Sequence, residues 1–107
     1  MDVDEAWSAV LDLCRELGPV VVRTSRFAAK PAMFLGRREF AHWEGPGRVD
    51  LRITALGWRR HMDEFAGDPA ISRDRARRDW IDLHLASVAD VERLRPLFET
   101  AVAANGG

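Results

Sequence analysis

The sequence predicts an α+β domain: an antiparallel sheet of about five strands with helices packed on one face, in the order α-β-β-β-β-α-β-α. Three observations predict it. Apolar residues recur at spacings of three and four near both ends of the chain and once between them. Four short runs rich in β-branched and aromatic residues, each bounded by turn formers, separate the first two of these stretches, and a further alternating run precedes the last. With 107 residues one hydrophobic core suffices, so residues 1–107 are read as a single domain.

Val3, Trp7, Val10, Leu11, Cys14 and Leu17 fall on one stripe of a first helix. Asp2 or Asp4 caps its start and Gly18-Pro19 stops it. Strands follow at Val20 to Arg23, Ala32 to Leu35, Glu39 to Trp43 and Arg48 to Thr54. Gly36-Arg37 is a tight hairpin turn, and Glu44-Gly45-Pro46-Gly47 a longer loop. From Ala55 to Phe65 the helical spacing returns, with Ala55, Trp58, Met62 and Phe65 on one side, until Gly67-Asp68-Pro69 ends it. Asp68 to Arg78, holding Arg73, Arg75, Arg77 and Arg78, reads as an exposed loop leading to a last strand, Trp80 to Leu85. Ser87 and Asp90 match a capping box for a third helix, whose stripe is Val91, Leu94, Leu97, Phe98, Ala101 and Val102. Pro96 inside it offers no N–H and crowds the preceding turn, so it kinks or shifts this helix.

Charge narrows the partners. Sixteen Lys and Arg against seventeen Asp and Glu leave a formal charge of −1, so no overall field draws in DNA, RNA or an anionic membrane. Nucleic acid is therefore not an expected partner. The one cysteine, Cys14, lies on the apolar stripe and reads as a buried, inert thiol suited to a reducing compartment. No apolar run approaches the roughly 20 residues of a membrane helix, and the acidic start Met1-Asp2-Val3-Asp4-Glu5 is unlike a secretory signal. A cytoplasmic protein without a membrane partner is the expectation.

Strand alternation locates the candidate site. Val49, Leu51 and Ile53 go to the core, which sends Arg48, Asp50, Arg52 and Thr54 to the other face. In the last strand Ile81, Leu83 and Leu85 go inward while Trp80, Asp82 and His84 go outward. Phe40 and His42 share one face of the third strand, and Glu39, Ala41 and Trp43 the other. With His42 on the polar side, the sheet presents Phe40, His42, Asp50, Arg52, Trp80, Asp82 and His84 together. Aromatic walls with a few convergent polar groups suit a small-molecule pocket. The same residues also read as the wet face of an ordinary antiparallel sheet. Two of the three histidines and a tryptophan on that face favour the pocket, while His61 reads as a surface residue of the second helix. The chain holds no HExxH spacing, Gly-rich phosphate loop, GxSxG elbow or Cys–His arrangement, so neither a metal nor a cofactor is expected.

The runs Arg38-Glu39-Phe40-Ala41-His42-Trp43, Val49-Asp50-Leu51-Arg52-Ile53-Thr54, Asp68-Pro69-Ala70-Ile71, Trp80-Ile81-Asp82-Leu83-His84-Leu85 and Asp90-Val91 resemble the small bacterial proteins of the luciferase-like domain family. The similarity spans roughly Arg26 to Ala104, and its most specific pieces are the E-F-x-H, D-L-R and W-x-x-x-H strands. That family includes the fungal luciferase, a longer, membrane-associated protein with an extra N-terminal portion, which oxidises a hydroxypyrone with molecular oxygen without metal or flavin. The resemblance implies a small aromatic or enolic ligand and, beyond binding, cofactor-free oxygenation. In that chemistry His42 or His84 removes a proton, Arg52 stabilises the resulting oxygen charge and Asp50 orients either partner, with Phe40, Trp80 and Asp82 against the substrate.

A second resemblance leaves an alternative open. Lys30-Pro31-Ala32-Met33-Phe34, Arg37-Arg38-Glu39-Phe40-Ala41 and Leu94-Arg95-Pro96-Leu97 are similar to the YjbR or MmcQ-like family, which implies a non-catalytic module binding protein or nucleic acid. The neutral net charge argues against DNA.

Overall fold

The computed structural model describes residues 4–106. Asp2 and Val3, named above as cap and stripe residues, lie outside the described residues. Helix α1 spans Glu5–Leu17, and Asp4 caps it: its Oδ1 accepts from the Trp7 N–H at 2.8 Å. Trp7, Val10, Leu13 and Cys14 are buried on its inner side. The helix closes where the Gly18 N–H donates to the Cys14 carbonyl at 3.0 Å.

The next four elements form a meander, β1 (Val21–Thr24), β2 (Pro31–Leu35), β3 (Arg38–Gly45) and β4 (Arg48–Arg52). Then come α2 (Ala55–Phe65), β5 (Ile71–Ser72), β6 (Trp80–His84), α3 (Val88–Arg93) and α4 (Arg95–Gly106). All neighbouring strands pair antiparallel, in the order β1-β2-β3-β4-β6-β5. Helices pack against this sheet: α4 runs across β2, β3 and β4, and α1 and α2 pack on α4. The α+β fold with helices over an antiparallel sheet is thus as the periodicity predicts.

Four details differ. The expected loop after Asp68 contains a sixth strand: Ile71 and Ser72 pair with Leu83 and Asp82. Two residues are too few to show an alternation. The strand read as continuing to Thr54 stops at Arg52, and Thr54 instead caps α2, its Oγ1 accepting from the Gly57 N–H at 3.0 Å. The four-residue loop after Trp43 is shorter than expected, because β3 continues to Gly45 and pairs it with Arg48 across Pro46-Gly47. Gly47 has φ 69° and lies against Leu85, where a Cβ would sit 2.4 Å from the carbonyl oxygen, so only glycine fits this turn.

The last helix is broken rather than kinked. α3 ends at Arg93 and α4 begins at Arg95, which puts Pro96 in the first turn of α4, where its missing N–H has no helical partner to lose. The capping box is not made: Ser87 makes no side-chain cap bond, and Asp90 Oδ2 accepts from the N–H of Ala86, one residue before the cap, at 2.8 Å.

The core lies between the sheet and the helices and includes Trp7, Met33, Leu51, Ile53, Ile81, Leu83, Leu94, Leu97 and Phe98. Cys14 is fully buried there, and burial pushes its thiol up to about 12, which makes it inert. No helix among the described residues is long and apolar enough to cross a membrane.

Candidate ligand-binding site

Two loops roof the other face of the sheet. One, residues 25–30, carries Phe27; the other, residues 73–79, carries Arg77 and Arg78. Beneath them lies a pocket of about 590 Å³ lined by Phe27, His42, Glu44, Asp50, Ala76, Arg77, Arg78, Asp79 and Trp80. Three rings face one another at its wall: His42 and Trp80 centroids are 5.2 Å apart, and Phe27 lies 5.9 Å from His42 and 6.0 Å from Trp80.

A break in the strand rhythm builds the floor. Between β2 and β3 the register slips: Met33 pairs with Ala41, but Phe34 pairs with Glu39, leaving Phe40 as the extra residue. Phe40 and Ala41 therefore both join the core, and Glu39 and His42 both come to the pocket side. The expectation that Phe40 shares a face with His42 and contacts substrate is corrected here, because the bulge reverses the alternation between them. Phe40 is fully buried in the core.

His42 is 4% exposed. Its Nε2 lies 2.6 Å from Glu44 Oε1 and 2.9 Å from Asp50 Oδ2, and its Nδ1 lies 3.1 Å from Glu39 Oε2. Nδ1 is nonetheless without a hydrogen bond, because the Glu39 carboxylate is turned to other donors: Ser25 Oγ at 2.7 Å and the Arg26 N–H at 2.7 Å. Ser25 Oγ in turn accepts from the Phe27 N–H at 3.0 Å, so one buried network ties the floor to the aromatic loop. Burial alone would lower the imidazole pKa, but the hydrogen bond and charge of Asp50, with the charges of Glu44 and Glu39, outweigh it and hold the pKa above the ordinary 6.5.

Asp50 pairs across the strands with His42 on one side and Asp82 on the other. Burial would raise its pKa, but hydrogen bonds from His42 and Asp82 and the charges of His42 and Arg77 hold it well below the usual carboxylate range. Burial and the neighbouring Asp50 push Asp82 the opposite way, to about 7. Arg77 spans the pair: its Nη1 lies 3.1 Å from Asp50 Oδ2 and 3.8 Å from Asp82 Oδ1, and its guanidinium sits 5.3 Å from the Trp80 ring centroid.

Of the residues nominated from sequence, His42, Asp50 and Trp80 converge on the pocket, and Asp82 sits beside it under Arg77. Arg52 does not line it. Its Nη1 donates to Asn105 Oδ1 at 2.7 Å and its Nη2 to Asp79 Oδ2 at 3.3 Å, which fastens the end of α4 to the second roof loop. The arginines that do line the pocket are Arg77 and Arg78. His84 is exposed opposite Arg48 and also lies outside the pocket lining. Glu39, Glu44, Phe27 and Arg77 were not legible as site residues. The signal for the first two was present in Glu39-Phe40-Ala41-His42-Trp43-Glu44, where two adjacent apolar residues between polar ones mark a bulge rather than a plain strand. No protein-family model, no curated protein and no solved structure matches this chain.

Proposed function

We propose that this chain is a cytoplasmic small-molecule-binding domain whose ligand is a flat aromatic or enolic molecule with a hydroxyl beside a carbonyl, as in a hydroxypyrone. The reading agrees with the chain's resemblance to the luciferase-like domain family. The single observation that carries it is the pocket itself: three rings within 6.0 Å of one another stand over buried carboxylates and two arginines. The ligand ring packs against Trp80 and Phe27. Its hydroxyl donates to Glu44 or Asp50, which are acceptors, and its carbonyl accepts from Arg77 or Arg78, which are donors. A plain arene without this donor and acceptor pair leaves those groups unmatched and binds more weakly.

The alternative of a nucleic-acid module on the arginine loop has less support. Arg77 is held by Asp50 and Trp80, and Arg73 sits 5.2 Å from the Trp58 ring centroid, so two of its four cations are engaged within the fold.

Calorimetric titration with 3-hydroxy-4-pyrone, catechol and benzene tests the proposal. Saturable heat with the first two, weakened at least about tenfold by Trp80→Ala and by Arg77→Ala, is the expected result. Equal heats for benzene and the hydroxypyrone, or titrations that neither variant changes, overturn it.

A further inference from the structure

His42 Nε2, one oxygen of Glu44 and one oxygen of Asp50 all lie within 4.8 Å of one another. We infer that these three groups form a binding site for one divalent first-row transition-metal ion, with imidazole and carboxylate donors suited to Zn²⁺ or Mn²⁺. The site lies between β3 and β4 and opens to the pocket, which leaves a coordination position for water or a ligand oxygen.

The crowding around one nitrogen is the first support. Nε2 has carboxylate oxygens at 2.6 Å and 2.9 Å, and a single N–H cannot point along both directions. An ion placed between the three atoms takes a lone pair from each. Two donors bound to one ion at about 2.1 Å stand about 3 to 3.5 Å apart, so the side chains need open only by roughly half an ångström.

The far side of the ring gives an independent support. The His42 side chain is 5% exposed, one nitrogen aimed between the two carboxylates and the other, Nδ1, buried without a hydrogen bond 3.1 Å from Glu39 Oε2. A metal-bound histidine donates its second N–H to a carboxylate that fixes ring orientation, and Glu39 stands where such an outer carboxylate belongs. Glu39 is itself anchored by Ser25 and the Arg26 backbone, so the support for the ring is rigid.

Arg77 is the competitor. It contacts the same Asp50 Oδ2 at 3.1 Å from a half-exposed loop position, so an incoming ion displaces a tethered guanidinium. The inference does not depend on the organic ligand proposed above, because the metal is tested alone.

The untagged full chain, stripped with a chelator, is titrated by calorimetry with Zn²⁺ and with Mn²⁺, and Mn²⁺ broadening of the histidine ring signals is followed by NMR. One equivalent is expected to bind and to broaden His42 before His61 and His84. Glu44→Gln and Asp50→Asn each weaken binding at least about tenfold, Glu39→Gln does so by about 10- to 100-fold, and Arg77→Ala tightens it. His84→Ala and His61→Ala leave it unchanged. Glu44 has a side chain 29% exposed and packs at the pocket mouth, so Glu44→Gln keeps its fold, which its thermal unfolding curve checks. Absence of one-equivalent binding, an affinity that Glu44→Gln does not alter, or loss of binding in His84→Ala overturns the inference.

Discussion

The two faces of the sheet bury different kinds of side chain, by different means. On the helix side Met33, Ala41, Val49, Leu51, Ile81 and Leu83 meet the apolar stripes of the helices. On the loop side the buried groups are Glu39, His42 and Asp50, roofed by two loops rather than by a helix. Apolar burial of the first kind stabilises the fold in proportion to area. Polar burial of the second kind costs desolvation that hydrogen bonds and ion pairs only partly offset, so it persists where geometry matters more than stability.

The most disruptive way to separate the faces is to carve the helix side. Leu97→Ala, at a fully buried position of α4, is expected to destabilise by about 2 to 5 kcal/mol in denaturant unfolding while leaving ligand affinity unchanged at temperatures where the variant is folded. Loss of affinity in folded Leu97→Ala contradicts the separation. Ser25→Ala, on the loop side, strips one hydrogen bond from the buried Glu39 carboxylate and one from the Phe27 N–H. Its expected cost is about 1 to 3 kcal/mol, and unlike the core variant it also weakens the hydroxypyrone titration. Arg52→Ala sharpens the comparison further: with its guanidinium on Asn105 and Asp79 rather than in the pocket, the melting temperature is expected to fall and the ligand affinity to hold.

The smallest effect lies away from both faces, where Arg93 bonds Asp68 and links α3 to the start of β5. Those hydrogen bonds, with one from the Ala70 N–H, hold the Asp68 pKa below its ordinary 3.8. The stabilisation is therefore complete above pH 3.8 and is lost as pH falls through the lowered value. Wild type and Asp68→Asn are expected to differ slightly in melting temperature at neutral pH and to converge in acid, as a pH series of melts shows.

Much of the fold is legible in the sequence because the helix side follows simple periods. The alternations of β4 and β6 place their core residues correctly, and the α1 stripe places Trp7, Val10 and Cys14 there while missing the buried Ala6 and Leu13 and including the partly buried Leu11 and Leu17. The site is less legible for a physical reason. Glu39 reaches it through one unpaired residue in β3, and Phe27 and Arg77 come from loops whose path no side-chain period specifies. Arg52 illustrates the opposite error: its parity in β4 is right, but a long side chain at a strand end reached Asn105 instead. Short elements fail similarly, as β5 does with two residues.

Cys14 of α1 is fully enclosed in the hydrophobic core, and it is the chain's one sulfhydryl. A thiol-reactive dye therefore finds no target until the hydrophobic interior parts. Its rate of attachment in native buffer counts interior openings directly, giving each of the substitutions above a kinetic clock that needs neither heat nor denaturant.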